Sequence, residues 1–148
     1  MPLRNFVTRK DAIMNVHVRD QLSIMLTDVP GELARIAEAM QKADVNIEGS
    51  SAIKMGGTGV RFVVDKVDAA KAAVAALGLQ ADSQKVVVVS ITDDKPGMIA
   101  QVARMLSDQG INIDNFYHAS TGRNGAAMMY ILVGDEMANK AVEALSGM

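Results

Sequence analysis

The chain has 148 residues, of which 49% are hydrophobic and 22% charged, and its net charge at pH 7 is −2. These values are typical of a globular protein, and no apolar run is long enough to span a bilayer. The absence of cysteine excludes disulfides, thiolate metal sites and thiol nucleophiles. No basic block indicates a nucleic-acid partner. We therefore expect a cytoplasmic protein that contacts neither membrane nor nucleic acid, with no signal peptide before Asp11.

The first predicted element is a half-buried strand, because Leu22, Ile24 and Leu26 alternate with polar residues. A turn, Asp28-Val-Pro-Gly31, follows it. The next residues are predicted to form a helix with one buried face, made of Leu33, Ile36, Ala37 and Met40. A second strand then opens at Val45-Asn-Ile-Glu48.

This order of elements occurs twice. The turn recurs as Asp94-Lys-Pro-Gly97 and the strand opening as Ile111-Asn-Ile-Asp114, each 66 residues further on. The buried helix face of the second copy is predicted to consist of Ile99, Val102, Ala103 and Leu106. The strand before the second turn departs from the first copy, because its apolar residues, Val87, Val89 and Ile91, are one position out of phase. Either Ser90 and Thr92 face the helix there, or a bulge restores the phase.

A hairpin and a helix complete each copy. The first hairpin turns at Gly56-Gly57 and the second through residues 121–125. Asp68 and Asp135 are predicted to open the alanine-rich helices that end at Leu77 and Leu145.

The elements assemble into two modules. Residues 78–85 supply a fourth strand that closes a ferredoxin-like βαββαβ module, whereas the second copy ends without one. We infer that residues 12–18 complete the second module, in cis or by exchange between protomers; an elongated first strand is the alternative. The sequence thus predicts an α+β fold of two ferredoxin-like modules packed side by side. The chain divides into an N-terminal segment 1–19, a first module 20–84 and a second module 85–148.

Asp-x-Pro-Gly followed by (Val/Ile)-Asn-Ile, repeated at fixed spacing, resembles the ACT domain pattern over about residues 20 to 148. The chain is similar to bacterial tandem-ACT proteins without a catalytic domain. In that family, amino acids commonly bind where the first turn of one module faces the second strand of its neighbour. The resemblance implies a non-enzymatic regulatory protein that binds a small amino acid, forms a homodimer and acts on an enzyme or other protein. A scaffold that assembles through sheet edges without a small-molecule ligand is the alternative.

The turns suit a carboxylate, because a helix start leaves N–H groups without partners and carries partial positive charge. Glycine lets a ligand approach the backbone, and an aspartate before it can pair with a ligand ammonium. The predicted ligand-binding residues are Asp28, Val29, Pro30, Gly31, Glu32, Leu33 and Asn46 in the first copy, and Asp94, Lys95, Pro96, Gly97, Met98, Ile99, Asn112, Asp114 and Tyr117 in the second. The alternative is purely structural: Pro-Gly starts the helix, and the aspartate and asparagine side chains bond to the local backbone.

Catalysis has little support in the sequence. Its two histidines, His17 and His118, lie on different predicted strands, and no spacing links either to a triad or a ligand set. We expect no catalytic residue, no metal site and no cofactor.

Overall fold

The computed structural model describes residues 14–53 and 58–146. In this part of the chain the elements are, in order, β1 (Met14–Leu26), α1 (Glu32–Lys42), β2 (Ile47–Ile53), β3 (Thr58–Val64), α2 (Val67–Ala76), β4 (Ala81–Ile91), α3 (Met98–Asp108), β5 (Asn115–Ser120), β6 (Ala127–Leu132) and α4 (Ala138–Ser146). They form two compact units: the first unit is residues 19–84, and the second unit is residues 14–18 with residues 85–146. The predicted turn at Gly56-Gly57 lies outside the described residues.

In the first unit the strand order is β2-β3-β1-β4. The antiparallel pairing of β1 with β3 sets Leu22 opposite Phe62 and Ile24 opposite Val60. A register shift between Ile47 and Gly49 interrupts the pairing of β2 with β3. One core lies between these strands and helices α1 and α2, and it consists of Leu22, Ile24, Ile36, Met40, Val45, Val60, Phe62, Val64, Ala70 and Val74.

In the second unit the strand order is β1-β4-β6-β5, and β6 pairs antiparallel with both β4 and β5. Its core includes Val87, Val89, Met129 and Ile131 from the strands, together with side chains from α3 and α4. Met14 belongs to this core with 7% of its surface exposed, and Val16 and Val18 pack against it. Strand β1 therefore begins in the core of the second unit and continues into the core of the first. Of the predicted segment 12–18, residues 12 and 13 lie outside the described residues.

The phase difference between the two copies is resolved in the loop that follows the strand. Val87, Val89 and Ile91 all face the core, so Ser90 does not face the helix. Five residues separate β1 from α1, and six separate β4 from α3. The second loop is longer by one residue, which restores the alignment of the turn motif without a bulge in the strand.

The prediction of the buried faces of α1 and α3 is wrong for the first residue of each face. Leu33 is 49% exposed and Ile99 is 39% exposed. Because successive residues are about 100° apart around a helix, the buried stripe instead includes the residue before each of them. It consists of Glu32, Ile36 and Met40 in α1 and of Met98, Val102 and Leu106 in α3.

The predicted starts of the last helix in each copy also need correction. Helix α2 begins at Val67, one residue before Asp68, and no side chain caps it. Asp135 begins a 3₁₀ turn, Asp135–Met137, that precedes α4. The Asp135 carboxylate accepts the backbone N–H of Lys85 at 2.8 Å, so it bonds to a strand rather than to a helix start. No helix among the described residues is long and apolar enough to cross a membrane.

Candidate functional site

The two turn motifs lie in the loops that join a strand to a helix, loop 1 (residues 27–31) and loop 2 (residues 92–97). Each loop ends in a glycine with left-handed backbone, Gly31 at φ 89° and Gly97 at φ 94°. This conformation strongly favours glycine. Neither helix start has a side-chain cap, which disfavours the purely structural alternative in which an aspartate of the turn caps the helix. The N–H groups that open α1 and α3 therefore rely on acceptors other than a capping side chain.

Loop 2 is attached to the hairpin between β5 and β6. The Asp94 N–H donates to the Gly125 carbonyl at 2.8 Å, and the Asn124 N–H donates to the Asp94 carbonyl at 2.7 Å. The Ser120 hydroxyl donates to the Asp94 carboxylate and accepts the Gly122 N–H at 3.0 Å. These bonds fix the backbone ahead of α3 on both sides of Asp94. A ligand at this helix start would meet a loop whose conformation is already set.

The charges in loop 2 lie close together. The Lys95 ammonium is 3.5 Å from the Asp93 carboxylate, and Lys95 is partly buried while Pro96 and Gly97 are exposed. Helix α3 has no acidic residue in its first turn. Its N-terminal partial positive charge therefore has no carboxylate within the helix itself to offset it.

Loop 1 is held by short-range bonds instead. The Glu32 carboxylate accepts the Arg35 Nε–H at 2.9 Å, and Thr27 also donates to it through both backbone and hydroxyl. The hydrogen bond from Arg35 is the main cause that lowers the pKa of Glu32 below its ordinary value of 4.5, against an opposing effect of burial. The Glu32 N–H bonds to the Val29 carbonyl at 3.4 Å. One of the N–H groups at the start of α1 thus already has a hydrogen-bond acceptor within the protein.

The predicted asparagines lie at the opposite ends of these helices. Each of α1 and α3 has 11 residues, so about 16 Å separates its two ends. The Asn46 N–H donates to the Asp65 carboxylate at 3.0 Å. The Asn112 side-chain amide donates to the Asp114 carboxylate at 3.1 Å. Within a unit, therefore, the turn residues and the asparagines do not form one site.

Tyr117 lies on a different face of its strand from the residues that contact loop 2. It stands opposite Tyr130, and the two rings stack with centroids 4.9 Å apart. Phe116, His118 and Ser120 alternate with it and point to the side of β5 nearer the core. Tyr117 and Asp94 thus do not face each other within the second unit.

Sequence reasoning missed the partners of both loops. Ser120 and Asn124 hold loop 2, and Thr27 and Arg35 hold loop 1. Arg35 has a local signal, since it follows Glu32 by three residues on one helix. Ser120 is 26 residues from Asp94, and only the pairing of β5 with β6 brings it near. Among the described residues, no group of three or more His, Asp or Glu side chains is placed to hold a metal ion.

Comparison with known families gives a match to the second unit. Residues 85–147 match the family model of the ACT domain. This range contains loop 2 and all the ligand-binding residues predicted for the second copy. Comparison with curated proteins found no match.

The fold is similar to that of several solved structures. Protein BT0572 from Bacteroides thetaiotaomicron is 28% identical, with a TM-score of 0.74 and 89% of each chain covered. The ligand-free regulatory subunit of aspartate kinase from Thermus thermophilus is 16% identical, with a TM-score of 0.63, 92% of this chain covered and 95% of that one. E. coli aspartokinase III in complex with lysine and aspartate is 13% identical, with a TM-score of 0.59, 90% of this chain covered and 32% of that one. The chain therefore has an α+β fold like that of aspartate kinase regulatory domains.

Proposed function

We propose that the protein is a non-enzymatic regulator that binds a free amino acid at loop 2. The observation that carries this proposal is the ACT match over residues 85–147, a range in which an uncapped helix start follows the Asp-Lys-Pro-Gly motif. The ligand carboxylate is proposed to accept N–H groups at the start of α3, near Gly97, Met98 and Ile99. Lys95 adds a positive charge at the same place.

Loop 2 suits a ligand better than loop 1 for two physical reasons. Its backbone is fixed by bonds to the β5–β6 hairpin, so less conformational entropy is lost when a ligand binds. In helix α1, by contrast, the Glu32 carboxylate lies in the first turn and already offsets part of the positive charge of the helix start. We therefore propose that, of the two loops, loop 2 holds the amino acid and loop 1 contributes little affinity.

The test is a thermal melting experiment with each of the twenty common amino acids, beginning with lysine and aspartate. Ligand at about one hundred times its dissociation constant should stabilise the fold by about 2.7 kcal/mol. For a chain of this size the melting temperature should rise by about 5–10 °C. If no amino acid raises it, the proposal is wrong.

Two matched variants locate the site. Gly31→Ala and Gly97→Ala introduce the same backbone strain, because both glycines have positive φ and a Cβ at either would have no neighbour within 4 Å. The Gly97 variant should lose most of the ligand-induced shift, since its Cβ stands beside the amides that hold the carboxylate. The Gly31 variant should keep it. The opposite pattern would move the site to loop 1.

One observation favours the scaffold function as a second candidate. Several large apolar side chains of the first unit are exposed, namely Met25, Val29, Leu33 and Ile53. Exposed apolar side chains are typical of protein contacts where they lie together. If no amino acid binds and sedimentation shows a dimer that Leu33→Gln weakens, assembly rather than ligand sensing is the function. The homodimer itself stays a prediction, which monomers across a wide concentration range would contradict.

A further inference from the structure

A groove in the first unit lies at the end of α1 farthest from loop 1. Its volume is about 250 Å³, and it is lined by Gln41, Asp44, Val45, Asn46, Asp65 and Lys66. Val45 is buried, and the other lining residues are polar and exposed. Asn46, which the sequence motif singles out, thus belongs to this groove and not to the turn that the motif accompanies.

The walls of the groove carry charges of both signs. The Lys66 ammonium bonds to the Asp44 carboxylate at 2.8 Å. A second carboxylate, Asp65, accepts the Asn46 N–H at 3.0 Å. The side-chain amides of Gln41 and Asn46 are also in the lining. The groove therefore has one cationic group, two anionic groups and amide groups that both donate and accept.

The ends of the two neighbouring helices add partial charges to the groove. Helix α1 ends at Lys42, just before Asp44, and its last carbonyl groups give that end a partial negative charge. Helix α2 begins at Val67 with Lys66 before it and without a side-chain cap, so that end has a partial positive charge. A molecule with a cationic and an anionic end matches both sides of the groove.

The second unit does not repeat this pattern. Gly110 stands 66 residues after Asp44, and both residues have positive φ, 72° and 57°. A glycine therefore suffices to end the helix, and Asp44 adopts the same backbone at a cost that glycine avoids. Before α4 the chain reads Val133-Gly134-Asp135, with no lysine. The second unit thus forms the corresponding elements without these two charged residues.

We propose that the groove is a binding site for a small zwitterion, such as a free α-amino acid with a short side chain. The ligand ammonium lies toward Asp65 and Asp44, and its carboxylate lies toward Lys66 and the first N–H groups of α2. The volume is below the roughly 300–1,000 Å³ of pockets for drug-sized ligands, which limits the side chain to a small one. This site is separate from loop 2, and its existence does not depend on binding there.

The experiment is an amide NMR titration of the full chain with glycine, with acetate and ethylamine as probes that carry one charge each. Glycine should shift the amides of residues 44–46 and 66–68, and neither single-charge probe should do so at the same concentration. Equal shifts with acetate or with ethylamine would reduce the groove to a simple ion site and overturn the proposal. Glycine shifts confined to residues 95–99 would also overturn it, and would leave the proposed function standing.

Two variants and one control complete the test. Asp44→Gly removes one carboxylate while giving the backbone the residue that the second unit has there, and Lys66→Gln removes the cationic group. Each should weaken glycine binding at the groove at least tenfold. Lys71→Gln, an exposed lysine on the same helix α2, should leave it unchanged. Unchanged affinity in both groove variants would show that the charges do not hold the ligand.

Discussion

Loop 1 and loop 2 join corresponding elements and carry the same motif, but different bonds hold them. Loop 1 is held by bonds among residues that lie within nine positions of one another, namely Thr27, Glu32 and Arg35. Loop 2 is fixed by Ser120 and by the backbone of residues 124 and 125, which are distant in sequence. A repeated sequence therefore specifies the same local turn twice, while the long-range contacts around it are free to diverge. Loop 1 should form with its helix, and loop 2 only once its hairpin is in place.

The largest expected effect concerns Met14, through which β1 enters the core of the second unit. Met14→Ala should lower the free energy of unfolding by about 2–4 kcal/mol, because it removes a buried side chain and leaves a cavity. The matched control is Met25→Ala on the same strand. Met25 is 63% exposed, so this change should cost no more than about 0.5 kcal/mol. Urea unfolding of both variants provides the measurement.

Hydrogen exchange shows which of the two units is destabilised. In Met14→Ala, or in a chain that lacks residues 1–18, protection should fall at residues 130–133 of the second unit. Protection at residues 60–64 of the first unit should fall less. Unchanged protection at residues 130–133 would mean that residues 14–18 do not supply a strand on which the second unit depends.

A smaller effect is expected from Ser120→Ala, which removes the hydroxyl that bonds to the Asp94 carboxylate. A lost hydrogen bond to a charged group should cost about 1–2 kcal/mol. Ser83→Ala, on an exposed position of β4, serves as the control. Ser120→Ala should also reduce amino-acid affinity at loop 2, because the loop becomes less ordered. If Ser120→Ala and Ser83→Ala have equal stability, the contact does not hold the loop.

The smallest effect is a pH dependence specific to loop 1. The folded state lowers the pKa of Glu32 below 4.5, so its contribution to stability is present above that pH and is lost as the pH falls through the lowered value. Glu32→Gln should therefore be less stable than the wild type at pH 7, and the difference should narrow toward pH 3. Glu38→Gln, exposed on the same helix, is the control. Melting curves at both pH values check this, and a difference that does not change with pH would contradict it.

The local part of the fold was predictable from the sequence. The alternation of Leu22 and Ile24 predicted a strand, and the apolar spacing after each Pro-Gly predicted α1 and α3, because these signals depend on neighbouring residues alone. The exact buried stripe was not predictable in this way. Glu32 is polar, yet it is buried because Arg35 and Thr27 satisfy its carboxylate, a compensation that apolar spacing does not reveal.

The candidate site was harder to predict from the sequence than the fold. The sequence assigned Asn46 and Asp28 to ligand binding across an interface between modules, and that assignment stays a prediction; within the first unit a helix of 11 residues separates them. Proximity in a motif is not proximity in space when a helix lies between its two parts. Conversely, Ser120 meets Asp94 only through the pairing of β5 with β6, and no local pattern indicates that contact.

The path of β1 also has a consequence for synthesis on the ribosome. Residues 19–84 are contiguous, so the first unit can fold as soon as they emerge. Met14, Val16 and Val18 emerge earlier still, but the core that receives them is complete only after residue 146. At about 5–20 residues per second, the roughly 60 residues in between take about 3–12 s to translate. During that interval three apolar side chains next to a folded unit lack their final partners, and a chaperone that shields such segments would act on the nascent chain at this stage.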